Sequence, residues 1–394
     1  MSVSKTRSMT AVFQINSTAL LNPCNPHCEG PISVSIDISI IRELIRTQNA
    51  SGLLISKQSN FSWITGGFEN RVRDATDLGS GSILITQDRI YLLTNNIERP
   101  RLMEEELSSF PCEILEYNWY DSAAKKSLIQ DVCGNAPLLS DTGEDGTVCI
   151  ENQLAQYRIT LDANEKEALR GLGKDAADIM FESVGRINPG MRETDIAAQV
   201  SFQSRLKGAF PVVVMVGTDQ RIYQYRHPLP TGKPLKRHLM IVLCVRRRGL
   251  ILSCSRLLHF GAPPQEIMKK HKAVCTVDSV FISETRPGAV VSDIFTKACE
   301  AYSKTGYPGE WKHHHQGGAC GYEPREYLAT PDNHTAVSCD QAFAWNPSIA
   351  GTKSEDTILV ETNENSILSA DSRWPSIDID VNGKVISRPD ILVV

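Results

Sequence analysis

Residues 188–196 read NPGMRETDI, and residues 286–294 read RPGAVVSDI. Both stretches carry Pro-Gly and then Asp-Ile at the same spacing, and the second lies 98 residues after the first. Gly208 and Gly306 follow them with that same separation. A pattern of Pro-Gly, helix and Gly that occurs twice is an internal repeat. Its length predicts two similar α/β halves rather than a solenoid, and binding sites usually form between such halves.

Residues 37–150 predict a smaller α/β unit before the repeat. Apolar residues at helical spacing begin at Ile38, and short apolar runs then predict strands. These strands cover residues 52–55, 82–85 and 90–93. Residues 63–67 are interpreted as a loop after the first strand.

The polar stretch 141–146 marks a boundary between the two parts. Beyond it, Asp162 and Glu165 form a capping-box pattern that predicts the start of a long helix. We therefore expect a tail at 1–36, a small domain at 37–150 and a larger domain at 151–394.

Composition limits the class of protein. The chain has 394 residues, 41% hydrophobic and 22% charged, with a net charge of -5. These values are typical of an ordinary soluble globular protein, and they give no reason to expect nucleic acid as a partner. No apolar run is long enough to span a membrane, so no membrane partner is expected.

The cysteines and the N-terminal stretch bear on the compartment. The chain has eleven cysteines without a repeating spacing, which favours reduced thiols and a cytoplasmic protein. Acidic residues are absent before Glu29, so organellar targeting is the alternative. Cys24, His27 and Cys28 offer three zinc ligands where a structural site needs four, and a mobile tail is the preferred interpretation.

One stretch is notable for what it lacks. Between Asp219 and Glu266 there is no Asp or Glu, although the stretch is rich in basic residues. They include Arg221, Arg226, His227, Lys233, Lys236, Arg237, Arg246, Arg247, Arg248 and Arg256. Hard cations need anionic oxygen ligands, and clustered guanidinium groups repel them.

The order of several motifs resembles a known superfamily. They are Asn188–Glu193, Arg226-His227-Pro228, Gly321–Glu326, Trp345-Asn346-Pro347 and Lys353–Asp356. Together with the repeat, they resemble the pita-bread fold of methionine aminopeptidase, aminopeptidase P, prolidase, creatinase and ectoine hydrolase. The resemblance covers roughly residues 37–362 and implies an α/β (α+β) architecture. In it, a creatinase-type N-terminal α/β domain precedes a pseudo-twofold pita-bread domain.

The resemblance also implies five metal-ligand positions. Gly249, Arg256 and Gly261 fix the register of a hairpin that carries two aspartates in the family. Carried over position by position, the five ligands become Val242, Ser253, Gly318, Asn346 and Glu355. A two-residue slip gives Cys244 and Ser255 on the hairpin, which are not carboxylates either. One carboxylate cannot hold a dinuclear centre, so we expect no metal and no other cofactor.

The acid–base candidates come from the same resemblance. His227 matches the histidine that the peptidases share with creatinase, an enzyme that works without metal, and Glu355 matches one of its carboxylates. A histidine titrates near neutral pH and can both take and give a proton. Glu355 beside Lys353 should stay ionised, and it could orient His227, activate water or attack as a nucleophile. Glu326 is a third catalytic candidate.

Substrate-binding candidates complete the site. Arg226, Arg256 and Arg325 could clamp a carboxylate, and Asn346 could donate to a carbonyl or oxyanion. Tyr322 belongs to the same motif as Arg325.

The tract His313-His314-His315 is ambiguous. On a strand, alternate rings point to opposite faces, so His313 and His315 would converge. They could bind a substrate, whereas a true metal site is disfavoured because carboxylate partners are missing.

In the family, the small domain commonly reaches the site of a second subunit. Phe68 and Arg71 stand where a related enzyme places an aromatic residue and an arginine for that purpose. A homodimer acting on a small-molecule substrate is therefore expected.

Three functions remain open. The preferred one is metal-independent cleavage of a C–N bond in a small, carboxylate-bearing amino-acid derivative or dipeptide-like molecule. The second is a tailoring enzyme of a small-molecule pathway that performs cyclisation, condensation or elimination on the same scaffold. The third is a non-catalytic pseudopeptidase that binds a peptide or protein, since a fold can persist while its site decays.

Overall fold

The first sheet of the computed structural model, which describes residues 37–394, lies entirely before residue 150. Its six strands pair in the order β4-β3-β2-β1-β5-β6. They are β1 (Gly52–Lys57), β2 (Leu78–Ile85), β3 (Ile90–Asn95), β4 (Glu113–Tyr117), β5 (Leu138–Ser140) and β6 (Val148–Cys149). β2 is antiparallel to both neighbours, and the outer pairings β3–β4, β1–β5 and β5–β6 are parallel.

Four helices accompany this sheet. They are α1 (Ile38–Thr47), α2 (Gln58–Thr65), α3 (Arg99–Arg101) and α4 (Ser122–Cys133), with a π-helical turn at Leu102–Glu106 and a 3₁₀ turn at Glu144–Gly146. The predicted helix at Ile38 and the three predicted strands are confirmed. The predicted loop at residues 63–67 is wrong for its first part, because α2 continues to Thr65 and ends on Gly66 at φ 78°. Buried Phe61 and Ile64 give this short helix a packed face.

The larger part begins with four helices and a four-stranded sheet. The helices are α5 (Glu151–Arg158), α6 (Ala163–Val184), α7 (Glu193–Leu206) and α8 (Gln220–Gln224). The predicted capping box is present, since Asp162 accepts from the N–H of Glu165 and Glu165 accepts from the N–H of Asp162. The sheet has the order β19-β9-β8-β7. Its strands are β7 (Phe210–Thr218), β8 (His238–Arg247), β9 (Leu250–His259) and, from the C-terminus, β19 (Leu392–Val393).

The second half repeats this plan. Its helices are α9 (Gln265–Glu284) and α10 (Val291–Lys304), followed by a 3₁₀ turn at Glu310–His313. Its five-stranded sheet has the order β11-β10-β12-β15-β16. The remaining strands are β10 (Gly317–Cys320), β11 (Tyr327–Leu328), β12 (Ala342–Trp345), β13 (Ser348–Ile349), β14 (Thr352–Lys353), β15 (Asp356–Leu359), β16 (Ser366–Ile367), β17 (Ser376–Val381) and β18 (Lys384–Pro389).

The sequence repeat is also a structural repeat. Helix α10 begins and ends 98 residues after α7 begins and ends. Gly190 and Gly288 precede these helices with φ of 93° and 85°, a conformation that favours glycine. The two predicted halves are thus confirmed.

Backbone hydrogen bonds join the two sheets at strand β9. The N–H of Ile251 donates to the carbonyl of Gly321 at 2.7 Å, and the N–H of Ser255 donates to the carbonyl of Glu355 at 3.0 Å. Residues from both halves therefore meet along this line.

Three sequence expectations concern the whole chain. The tail 1–36, with Cys24, His27 and Cys28, lies outside the described residues. Within residues 37–394, all nine cysteines are free thiols. No helix in that range combines the length and apolarity that a membrane crossing requires.

Candidate active site

The segment that carries His227 is held on both sides. His227 lies just beyond α8, and the carbonyl of Pro228 accepts a hydrogen bond from the N–H of Val216 in β7 at 3.1 Å. The proline also restricts the backbone of His227 to extended conformations. On the other side, Arg221 of α8 is ion-paired with Glu193, whose side chain is buried. The imidazole therefore projects from a fixed backbone.

A second segment supplies two more imidazoles. His314 and His315 connect the 3₁₀ turn Glu310–His313 to β10. The amide nitrogen of Gln316 donates to the carbonyl of His314 at 2.6 Å, and its amide oxygen accepts from the hydroxyl of buried Tyr302 at 2.8 Å. These bonds fix the backbone of the pair.

The three rings form one group, which we call the histidine cluster (His227, His314 and His315). Nε2 of His227 lies 3.1 Å from Nε2 of His314, and Nδ1 of His314 lies 3.1 Å from the hydroxyl oxygen of Ser348. One ring nitrogen from each histidine lies within 4.8 Å of the others. His314 is only 8% exposed, whereas His227 is exposed.

The histidine cluster opens into a cavity of about 500 Å³. The lining is basic and aromatic, and it contains no Asp or Glu among the described residues. Its members are Arg226, His227, Phe295, Trp311, Lys312, His313, His314, His315, Gln316, Leu328, Ala329, Thr330 and Pro331. A cavity of this size can take a small molecule.

The imidazoles are held in their neutral form. Burial lowers the pKa of His227, and the charge of Lys353 lowers it further, although Glu355 opposes this. Burial and Arg325 lower the pKa of His315 to about 4. Burial and Lys353 also lower the pKa of His314 strongly. At neutral pH the cluster thus presents nitrogen lone pairs rather than charge.

Glu355 is ionised and fully partnered. Its Oε2 accepts from the ammonium of Lys353 and from the hydroxyl of Ser255, both at 2.6 Å, and its Oε1 accepts from Arg325 at 3.2 Å. Burial alone would raise the pKa of this 2% exposed carboxyl, but Lys353 and Arg325 lower it below its ordinary value. The sequence prediction that Glu355 stays ionised is supported, and the carboxylate holds two cations beside the histidines.

Two further predicted residues lie beside the cluster. Arg226 is ion-paired with Glu310 at 2.5 Å and donates to the hydroxyl of Ser348 at 3.2 Å. Asn346 is 3% exposed, and its amide oxygen has no hydrogen-bond partner among the described residues. Its backbone N–H donates to Gln316, the residue that anchors His314.

His313 and His315 both line the cavity, but only His315 belongs to the histidine cluster. His313 ends a 3₁₀ turn rather than lying on a strand, so the alternation of strand side chains does not apply. His313 is exposed at the cavity wall, and His314 takes its place in the cluster.

Tyr322 and Glu326 are not brought to the cavity. Glu326 forms a buried ion pair with Arg158 at 2.5 Å, and the hydroxyl of Tyr322 donates to Glu165 at 2.8 Å. We call these four residues the buried polar cluster. Glu326 also accepts from the N–H of Tyr322 at 3.1 Å, which links the two pairs. Both residues therefore stabilise packing, in contrast to the predicted catalytic and substrate-binding roles.

Arg256 is also directed elsewhere. Neighbouring Ser255 points to Glu355, so Arg256 faces the other side of strand β9. There it is 2% exposed, pairs with Asp356 at 2.9 Å and donates to the carbonyl of Ser369. It cannot clamp a substrate, because its donors are used in the core.

Phe68 and Arg71 lie between α2 and β2. Phe68 is partly buried against the core. Arg71 pairs with Glu69 and Asp74, and its guanidinium lies 4.4 Å from the ring centroid of Phe210. A role of these residues in the site of a second subunit stays a prediction.

Sequence reasoning missed His314 and Ser348 as members of the site. The histidine tract was a signal for His314, but the assumed strand placed it on the wrong face. Lys353 was recognised only as a neighbour of Glu355. Ser348 carries no sequence signal, because a serine after Asn-Pro is common in turns.

The five metal-ligand positions do not fit two metal ions. On the hairpin, Val242 is 1% exposed within an apolar cluster, and the hydroxyl of Ser253 lies 3.1 Å from the thiol of Cys244. At Gly318, an added Cβ would lie 2.0 Å from the carbonyl oxygen of Tyr327. The backbone would have to move before a histidine could occupy that position.

The other two positions lead to the same result. Asn346 is a neutral amide, and the Glu355 carboxylate is already occupied by the ammonium of Lys353 and the guanidinium of Arg325. Fixed side-chain cations thus stand beside the one retained carboxylate. We derive no chemical step through a dinuclear centre at these positions.

Comparison with known proteins agrees with this architecture. The model of metallopeptidase family M24 matches residues 170–362. An Xaa-Pro dipeptidase of Pyrococcus horikoshii is 22% identical over 358 residues, covering 84% of this chain and 96% of the relative. An uncharacterised peptidase of Staphylococcus saprophyticus is 23% identical and covers 68% of this chain and 83% of the relative.

Solved structures show the same fold. The prolidase of Thermococcus sibiricus has a TM-score of 0.75 at 16% identity, covering 93% of this chain and 100% of that chain. The N-terminal domain of a FACT complex subunit from chickpea has a TM-score of 0.64 at 10% identity, covering 84% of this chain and 94% of that chain. The peptidase relatives support a peptidase-like hydrolase on this scaffold. The chain has the pita-bread fold, and its family match and its relatives support the creatinase/aminopeptidase P superfamily.

Proposed function

We propose that the protein is a metal-independent hydrolase that cleaves a C–N bond in a small, carboxylate-bearing amino-acid derivative or dipeptide-like molecule. The observation that carries this proposal is the position of His227. Its neutral imidazole stands at a cavity of about 500 Å³ and contacts the buried His314. A neutral, oriented imidazole is suited to general acid–base work.

The hydrogen bonds behind His227 support a role as base. When His314 carries its hydrogen on Nδ1, it donates to Ser348, whose oxygen also accepts from Arg226. Nε2 of His314 then accepts from Nε2–H of His227. The Nδ1 lone pair of His227 is left free to take a proton from water or substrate. His314 and Ser348 act as positioning residues that fix the tautomer and orientation of His227.

The cavity lining favours a carboxylate-bearing substrate. Lys312 and Arg226, which is paired with Glu310, contribute basic side chains to the lining, and no carboxylate lines the cavity among the described residues. Phe295 and Trp311 meet edge to face at 5.4 Å on the same wall and provide an apolar surface. A small molecule with one anionic group and one apolar group matches this surface.

Glu355 has a narrower role in this proposal than the sequence left open. Both carboxylate oxygens accept charged hydrogen bonds, so neither is free to attack or to activate water. Glu355 instead holds Lys353 and Arg325 in place. Burial lowers the pKa of His227, and these two cations lower it further and so help to keep its imidazole neutral.

The test uses chelator-treated protein and a panel of Xaa-Pro dipeptides, N-acyl amino acids and amidino amino acids, with products detected by mass spectrometry. Turnover should persist without added metal, and His227→Gln should lower it by about 10²–10⁴-fold, the usual contribution of a general acid–base group. His334→Gln is the matched control, because His334 is an exposed histidine outside the cavity. A strict requirement for restored divalent metal, or full activity of His227→Gln, contradicts the proposal.

A non-catalytic binding function is the second candidate. It is favoured by the likeness of the fold to the domain from a FACT complex subunit. Absence of turnover on every substrate of the panel, together with saturable binding of a peptide, would favour this candidate.

We further propose that the protein is a homodimer in which Phe68 and Arg71 approach the cavity of the second subunit. Light scattering after size-exclusion chromatography measures the oligomeric state. A monomer at micromolar concentration contradicts this part of the proposal without affecting the role of His227.

A further inference from the structure

The histidine cluster has the ligand types of a transition-metal site that is distinct from the five ligand positions of the superfamily. None of its members is Val242, Ser253, Gly318, Asn346 or Glu355. Three imidazoles from two separate segments converge, with one ring nitrogen from each within 4.8 Å of the others. Three histidines with one open position are an established arrangement for zinc.

The closest pair of nitrogens is near the spacing that coordination requires. Nε2 of His227 and Nε2 of His314 are 3.1 Å apart. Two nitrogens bound to one tetrahedral zinc ion at about 2.0–2.1 Å are separated by about 3.3 Å. Binding of one ion by both rings would therefore change this separation little, and each lone pair would have to turn toward a common point.

Each of the other two rings has a nitrogen that no hydrogen-bond donor outside the cluster occupies. Nδ1 of His314 contacts Ser348, which leaves Nε2 directed at His227. Ligating histidines usually have such a partner on the second nitrogen. Nδ1 of His315 is a buried nitrogen without a hydrogen-bond partner among the described residues. An unpartnered buried nitrogen is costly unless a ligand or water satisfies it.

The charge of the surroundings selects the class of ion. Lys353 and Arg325 are nearby, but both are paired with Glu355, and Arg226 is paired with Glu310. The cluster itself offers no carboxylate, so Mg²⁺, Ca²⁺ and Mn²⁺ lack their preferred ligands. Imidazole suits Zn²⁺, Co²⁺, Ni²⁺ and Cu²⁺. The excess of cations would also favour an anion as the fourth ligand.

We propose that His227, His314 and His315 form a mononuclear site for a transition-metal ion of the zinc class. One coordination position faces the cavity and is open to water or to the carboxylate of a bound molecule.

A consequence for activity rests on the proposed function. An ion on Nε2 of His227 requires the hydrogen of that neutral ring to be on Nδ1. The nitrogen that would act as base is then protonated. Metal binding should therefore inhibit turnover.

The experiment is a titration of the full-length protein with Co²⁺, followed by its visible absorption spectrum, which reports coordination independently of activity. A Cys24→Ser/Cys28→Ser background is used throughout, because the N-terminal stretch carries two thiols and His27. We expect saturation at one equivalent. His315→Ala should weaken binding about ten-fold or more.

His313→Ala is the matched control, because His313 is adjacent in sequence but outside the cluster. It should leave the Co²⁺ affinity unchanged, and circular dichroism confirms that each variant is folded. Lack of saturable binding, equal binding by His315→Ala and the parent, or equal losses for His313→Ala and His315→Ala overturns the metal site.

Turnover measured in the same titration separates the two proposals. Bound Co²⁺ that inhibits supports both. Bound Co²⁺ that is required for turnover supports the metal site and overturns metal independence. Turnover that continues in excess Co²⁺, with no Co²⁺ bound, supports the proposed function and overturns the metal site.

Discussion

The segments around His227 and around Glu326 differ in the partners that their side chains find. Each segment carries a motif of the superfamily and one predicted catalytic residue. That residue is a histidine in the first segment and a carboxylate in the second. His227 is exposed at a cavity, and a second imidazole is its main polar contact. Glu326 has no exposed side-chain surface and is held by the guanidinium of Arg158.

This difference shows that motif position alone does not identify a reactive group. A carboxylate that is ion-paired in a dry interior is committed to stability, since any change in its protonation leaves a charge without a partner. A neutral imidazole at a cavity can take up and release a proton without breaking a buried ion pair. The buried polar cluster and the histidine cluster should therefore respond in opposite ways to substitution, with stability affected in one and chemistry in the other.

The largest expected effect is on stability, at Glu326. Glu326→Gln removes the nearest carboxylate from the guanidinium of Arg158, which is 1% exposed and keeps only the partly exposed Glu151, at 3.2 Å, as an ionic partner. Removing one member of a buried ion pair costs about 3–5 kcal/mol. Urea unfolding followed by circular dichroism should show this loss in the free energy of unfolding.

The control for Glu326 is the exposed ion pair of Arg46 with Glu43. Glu43→Gln should not change the unfolding midpoint measurably, because solvent screens such pairs. If Glu326→Gln behaves like Glu43→Gln, the contrast between the two clusters is wrong, and Glu326 would again be a candidate for chemistry.

The next effect is a dependence of stability on pH through Glu165. Burial raises the pKa of this carboxyl to about 7, from an ordinary value of 4.5. The folded state then binds the proton more tightly than the unfolded state. This tighter proton binding stabilises the folded state in full below pH 4.5. This stabilisation is lost as pH rises to about 7, and the loss amounts to about 3 kcal/mol.

Glu165→Gln removes this titration, because the amide is neutral throughout. It can still face the hydroxyl of Tyr322, which is able to accept as well as donate. From pH 4.5 to pH 7 the unfolding free energy of the variant should therefore rise relative to that of the parent. A difference that stays constant across this range contradicts the buried, protonated state of Glu165.

A smaller effect is expected for Tyr322. Tyr322→Phe removes the hydrogen bond to Glu165 and leaves that carboxyl with one donor fewer. A lost buried hydrogen bond of this kind costs about 1–3 kcal/mol. Turnover should be unaffected, since the ring is 3% exposed and does not line the cavity. A changed KM with unchanged stability would restore the substrate-binding role that the sequence predicted.

Much of the fold was predictable because the repeat constrains it. Paired landmarks at one offset predicted α7 and α10 with their preceding glycines, and apolar runs predicted β1 to β3. The error at residues 63–67 has a local cause. Helix α2 has only eight residues, and its polar residues are buried together with its apolar ones, so it does not show the usual pattern of an exposed polar face.

The site was less predictable, since membership depends on side-chain direction. Arg325 and Glu326 are adjacent, yet one donates to Glu355 and the other binds Arg158. Ser255 and Arg256 separate in the same way across β9. The alternation of side chains along a strand could have predicted that Ser255 and Arg256 face opposite sides of β9. Nothing in the sequence indicated that His313 ends a 3₁₀ turn, and that turn decides which histidines converge.

The smallest effect on stability is expected at His227 itself. His227→Gln removes one hydrogen bond to His314 from an exposed position and leaves no buried charge unpaired. A net loss of about 1 kcal/mol or less in the free energy of unfolding is expected, as for an ordinary hydrogen bond. The same variant should lose most of its turnover, so the two measurements on one protein separate chemistry from folding. A loss of stability as large as that of Glu326→Gln would mean that the histidine cluster, too, is a packing element, and the distinction between the two clusters would then fail.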